Sequence, residues 1–151
     1  MSEGFEHGDT AMRIPDNLAS EAKNFLESID LEYVIASIPG HVYLKDANGA
    51  YIYANDRPSG LDSLSDGDTI GADFVGKTDH DFPWAEQAEK LRQHDRRAMR
   101  TGEPIAFKER GRLKDGQVHE FVSIKAPLRN KAGAIIGVIG VSVRVDNAID
   151  A

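Results

Sequence analysis

The chain has 151 residues, 40% hydrophobic and 28% charged, which is typical of one globular domain with a real core. It contains no cysteine, which excludes disulfides, cysteine-ligated metal sites, thiol catalysis and thioether-linked cofactors. The net charge of −7 is concentrated in residues 1–30. The sequence has no concentrated basic face, so we expect no contact with nucleic acid.

The sequence shows no membrane or export signal. No apolar run approaches the ~20 residues needed to cross a bilayer, and the N-terminus lacks a basic region followed by an apolar stretch. We therefore expect a cytoplasmic region that makes no membrane contact.

The N-terminal part divides into two predicted units ahead of the main domain at 31–146. Residues 1–14 are polar and aperiodic, so we expect a disordered tail. Residues 15–30 are predicted to form an amphipathic helix, with apolar residues at Leu18, Ala22, Phe25, Leu26 and Ile29. Because the polar tail before this helix offers no surface to pack on, the apolar face of the helix must lie against the domain, a second copy, or both.

Strands and helices then alternate in a recognisable order. Strands are predicted at 41–46 and 50–55 around the Asn48-Gly49 turn, followed by short helical turns and an acidic loop within 56–76. A longer helix at 84–101 is expected to be capped by Asp81 and ended by Gly102. Strands at 104–113, 117–127 and 134–145 complete an α+β fold: a five-stranded antiparallel sheet, with the central helices on one face and the N-terminal helix on the other.

Five motifs in this order, across residues 31–145, resemble the PAS sensory fold of bacterial histidine kinases, response regulators and cyclic-di-nucleotide enzymes. The motifs are Tyr43-Leu44-Lys45-Asp46 through Asn55, Gly76-Lys77-Thr78-Asp79 with Asp81, Asp95 with Thr101-Gly102-Glu103-Pro104 and Glu109, Ser123 through Arg129, and Gly137 through Ser142. One departure concerns the C-terminal junction: such domains usually end in an Asp-Ile-Thr-like step, and here Arg144-Val145-Asp146 stands there.

The resemblance, together with the period of two along strands, implies an interior site. The candidate ligand-binding residues are Tyr43, Lys45, Tyr51, Leu91, Asp95, Phe107, Glu109, Phe121, Ser123, Lys125 and Ser142. Two lysines and two acids among them are expected to converge as a neutral set. They form either a pocket for a small polar or anionic metabolite, with a lysine meeting its carboxylate, or a closed ion-pair network that binds nothing.

Other signals predict no metal and no prosthetic group. His94 lies near the position of the iron ligand in haem-binding PAS domains, but we interpret it as a partly exposed helical histidine. Flavin adducts need a cysteine, and no motif supports non-covalent flavin. We interpret Asp79-His80-Asp81 as a turn and helix cap. We interpret Asp62 through Asp68 as a solvated loop rather than a calcium-binding loop. The helix residues Arg92, Arg96 and Arg100 are interpreted as an exposed helix face or a docking surface.

The sequence thus predicts a non-enzymatic sensor domain without catalytic residues. We expect a homodimer through the N-terminal helix and the outer sheet face, which signals to a downstream kinase, cyclase or DNA-binding module. The alternatives are a ligand-free structural dimerisation module and a cone-fold enzyme with an interior aspartate as general base.

Overall fold

Five antiparallel strands form one sheet, in the order β2-β1-β5-β4-β3. The computed structural model describes residues 16–38, 40–55 and 74–145; the predicted tail and the acidic loop lie outside these ranges. The strands are β1 His41–Asp46, β2 Tyr51–Ala54, β3 Ile105–Arg112, β4 Val118–Arg129 and β5 Ile135–Arg144. The helices are α1 Ser20–Glu27, α2 Leu31–Ser37 and α3 Ala88–Thr101. This arrangement confirms the predicted α+β class and strand number.

Tight turns set the register of the sheet. In the β1–β2 turn, Gly49 has a φ of 91°, which favours glycine, and the Asp46 carboxylate accepts hydrogen bonds from the backbone N–H groups of Asn48 and Ala50. Strand β5 pairs with both β1 and β4, so it lies at the centre. The last strand in the chain therefore contacts both halves of the sheet.

Two short 3-10 turns, Asp79–Asp81 and Ala85–Gln87, precede α3. The prediction that Asp81 caps the long helix is wrong. Its carboxylate instead accepts from the backbone N–H of Thr78 at 2.9 Å, within the capping box of the first turn. Asp81 precedes α3 by a whole intervening turn, which is too far to reach that helix's free N–H groups. The C-terminal prediction is confirmed: Gly102 ends α3 in the left-handed conformation, with φ 73°.

The N-terminal helical segment is broken in two. Asp30 caps α2 by accepting from the backbone N–H of Glu32 at 2.9 Å. Helix α1 buries none of its residues, and Phe25 is 69% exposed. The outer face of the sheet is also open, with Ile124 52% exposed. The single chain therefore does not show the expected cover of the outer face by the N-terminal helix, since α1 offers only three apolar residues.

The core lies on the inner face of the sheet, beneath α3. It is rich in aromatic rings, and Phe82 stacks on both Phe74 and Trp84. Tyr43 lies directly across from Gly140 in the β1–β5 ladder, where its ring fills the space that a Cβ at residue 140 would need. Of the described residues, no helix is long and apolar enough to span a bilayer.

Candidate ligand-binding site

A cavity of about 50 Å³ opens between the inner sheet face, α3 and the turns before it. All but two of the predicted site residues line it; Asp95 and Phe107 do not. The lining residues are His41, Tyr43, Lys45, Tyr51, Asp79, Trp84, Leu91, Glu109, Arg110, Gly111, Leu113, Phe121, Ser123, Lys125 and Ser142.

Strand alternation places most of these side chains. On β4, buried Phe121, Ser123 and Lys125 alternate with more exposed residues. Ser123 and Ser142 face each other across the β4–β5 ladder, and their hydroxyl oxygens lie 2.7 Å apart. The predicted inward phase of these strands is therefore confirmed.

Asp95 links two lysines beneath α3. The carboxylate is 1% exposed; Lys125 donates to its Oδ1 at 2.8 Å and Lys45 to its Oδ2 at 3.0 Å. Lys125 also lies 2.9 Å from Oε2 of Glu109. The predicted convergence of two acids and two lysines is thus confirmed, with Asp95 behind the cavity wall.

Asp79 is a fifth member of this network that the sequence analysis missed. Its Oδ2 accepts from Lys45 at 2.6 Å, and its Oδ1 accepts from Tyr51 at 2.7 Å and from the indole of Trp84 at 2.9 Å. Trp84 was a usable signal, because a buried indole N–H needs an acceptor nearby. The buried set therefore holds three carboxylates against two lysines, which corrects the predicted neutral balance.

His94 closes the far end of the network. Its Nδ1 lies 2.6 Å from Oε2 of Glu109, its ring stacks on Phe107 at 4.1 Å, and its side chain is only 15% exposed. The structure therefore confirms the predicted partly exposed helical histidine and adds its contact with Glu109. Among the described residues, no group of acids and histidines is arranged to hold a metal ion.

Burial and pairing shift the pKa values of this network in opposed ways. Burial alone disfavours the charged forms, yet the Lys45 ammonium and three hydrogen bonds hold the pKa of Asp79 below its usual value. Burial likewise lowers the pKa of Lys45 and of Lys125, but the neighbouring carboxylates outweigh it and raise both above the ordinary lysine value. Burial raises the pKa of Tyr51 well above normal. Asp79, Lys45 and Lys125 are therefore charged across the neutral range, and Tyr51 remains a neutral donor.

Comparisons with known proteins agree with this architecture. A family model described as the PAS fold matches residues 35–148. A diguanylate cyclase of Vibrio cholerae serotype O1 is 29% identical over 121 residues, which cover 79% of this chain and 36% of that protein.

Solved structures of VqmA are also similar. VqmA bound to DPO is 28% identical, with a TM-score of 0.64, over 78% of this chain and 58% of that one. A Vibrio cholerae VqmA dimer without its target DNA is 28% identical, with a TM-score of 0.65, over 78% of this chain and 53% of that one. The chain thus spans about a third of the curated relative and about half of the VqmA chains. Because the family model covers most of the sheet and α3, the chain belongs to the PAS fold family.

Proposed function

We propose that this chain is the sensor domain of a larger signalling protein and binds a small polar molecule in its interior cavity. The observation that carries the proposal is the cavity itself, in which aromatic walls surround buried ammonium, carboxylate and hydroxyl groups. That VqmA has been solved bound to DPO supports a ligand in a PAS fold of this kind.

The size of the cavity limits the molecule. A buried water needs roughly 10–15 Å³, so a cavity of about 50 Å³ holds the equivalent of several waters. We therefore propose a compact ligand of a few non-hydrogen atoms, unless side chains move aside for a larger one.

We further propose a homodimer through the N-terminal helix and the outer sheet face. Both surfaces expose apolar side chains in the single chain, Phe25 on α1 and Ile124 with Val143 on the sheet. The VqmA structure is described as a dimer, which supports this assembly. Replacing Phe25 and Leu26 with serine should produce a monomer in light scattering, whereas Asn24→Ser on the same helix should not. A dimer that persists in the double variant would contradict this interface.

The signal has a short physical path out of the cavity. Ser142 lines the cavity on β5, two residues before that strand ends at Arg144. A ligand that binds one arrangement of β5 better than another shifts the populations by that difference in affinity. We propose that a downstream domain reads this shift, either a cyclase or kinase or a DNA-binding domain, and that any nucleic acid is bound there.

A second candidate function is a ligand-free structural dimerisation module. One observation favours it: each buried lysine already has carboxylate partners within the chain, so the ionic network needs no ligand to satisfy it.

Ligand retention separates these two functions. Native mass spectrometry of protein purified from cells, and thermal shift against a panel of small metabolites, should find a molecule that raises Tm with dose. Ser123→Leu fills the cavity and should abolish that rise, whereas Ile124→Leu on the opposite sheet face should preserve it. A protein with no retained molecule and no dose-dependent rise in Tm would contradict the sensor proposal.

A further inference from the structure

The buried network carries no surplus positive charge for an anionic ligand. Three carboxylates (Asp79, Asp95, Glu109) face two ammonium groups (Lys45, Lys125), and all five residues are buried. A protonated His94 beside Glu109 would only bring the formal charge to zero. Arg110 also lines the cavity, but its side chain is 67% exposed and pairs with Glu120. Another buried negative charge would therefore enter without a buried free cation among the described residues to pair with it, which is unfavourable in a site of low polarity.

Two of the charged groups that line the cavity keep an N–H or an oxygen without a hydrogen bond to the described residues. Lys125 uses its three donors on Asp95, Glu109 and the Leu91 carbonyl oxygen. Lys45 donates to Asp79 and Asp95, and its third N–H has no hydrogen-bond acceptor among the described residues.

The second group is the carboxylate of Glu109. Its Oε2 contacts both His94 and Lys125, whereas its Oε1 accepts no hydrogen bond from the residues that the structure describes. Lys45 and Glu109 both line the cavity. The cavity therefore offers one charged donor on the β1 side and one charged acceptor on the β3 side.

We propose that the ligand is a neutral molecule with a hydrogen-bond acceptor beside a donor, as in a primary amide or a lactam. Its oxygen accepts from Lys45, and its N–H donates to Oε1 of Glu109. This inference rests on the proposed sensor function and narrows its ligand class: a carboxylate has no donor for Glu109, and an amidinium has no acceptor for Lys45.

Three probes of one shape test the inference: acetamide, acetate and acetamidinium. Each is titrated into the full chain and followed by NMR shifts of cavity residues. Acetamide should bind about tenfold more tightly than either ion, because each ion leaves one charged group of the site without its hydrogen bond. Tighter binding of acetate or acetamidinium at the same residues would overturn the ligand class and leave the sensor proposal standing.

Variants sharpen the comparison. Glu109→Gln leaves two carboxylates and two lysines in the network, so it should reduce the ratio of the acetate Kd to the acetamide Kd. Glu89→Gln changes an acid on α3 that is 68% exposed and does not line the cavity, so it should leave the order of the three probes unchanged. The wild-type comparison stands even if Glu109→Gln fails to fold.

Failure of the ligand class and failure of the sensor function give different results. If no probe binds but mass spectrometry finds a retained molecule, the amide-like class is overturned and the sensor function stands. If no probe binds and no molecule is retained, both are overturned.

Discussion

Removing the charge of Asp95 should strongly destabilise the domain. Asp95→Asn keeps the shape of the side chain but leaves Lys45 and Lys125 without their shared anion in a buried site. Each lysine keeps one carboxylate, Asp79 for Lys45 and Glu109 for Lys125, but loses a charge-assisted hydrogen bond to Asp95. The two losses together cost about 3–5 kcal/mol. Because the free energy of unfolding of small domains is ~5–15 kcal/mol, the variant should lose a large part of it.

Urea unfolding at neutral pH measures this loss, with the denaturant slope checked for change. Glu89→Gln is the matched control: it removes the same kind of charge from α3, but at a side chain that is 68% exposed and 3.8 Å from Arg96. Such a surface pair is worth ~0–1 kcal/mol. A free energy of unfolding for Asp95→Asn within ~1 kcal/mol of wild type, with an unchanged slope, would refute the reasoning.

Two further outcomes follow from the site. Burial raises the pKa of Asp79, but the Lys45 ammonium and the hydrogen bonds outweigh it, so the folded pKa lies below the usual value. The stabilisation from ionised Asp79 is therefore present above about pH 4 and is lost as the pH falls through the folded pKa. In Asp79→Asn, the urea midpoint should fall less steeply with decreasing pH than in the wild type. An equally steep fall in the variant would count against this pairing. Gly140→Ala should lower the free energy of unfolding by ~1–3 kcal/mol, because the new Cβ overlaps the Tyr43 ring; full stability in urea would show that the ring can move at little cost.

The parts of the fold that the sequence could predict are those in which side-chain burial repeats with a regular period. Side chains alternate along β4, so the phase set by Phe121 also places Ser123 and Lys125 in the interior. Turn glycines located the strand ends in the same way, as Gly116 and Gly133 do with their positive φ angles. The strand positions and, with the family resemblance, most of the cavity wall were therefore accessible without coordinates, whereas the strand order was not predicted.

The missed features lie where no period applies. Asp79 lies in a 3-10 turn, 34 residues along the chain from its partner Lys45. The spacing of residues in such a turn does not predict which way the side chain points. The separate helix α2 was also not predicted. The amphipathic helix was expected to end at residue 30, and there the Glu32 backbone N–H donates to the Asp30 side chain and starts a new helix.

The position of Asp95 between two lysines also constrains how the residues of this interior can change during evolution. Lys45 and Lys125 come from strands separated by β5, so one carboxylate couples two distant stretches of the chain. Replacing Asp95 takes one carboxylate from both lysines, and replacing either lysine leaves Asp79 or Glu109 without its lysine. Joint replacement by apolar side chains leaves no buried charge only when all five residues of the network change. Descendants of this sequence therefore reach a different interior through coordinated substitutions, with intermediates that fold less well than either end point.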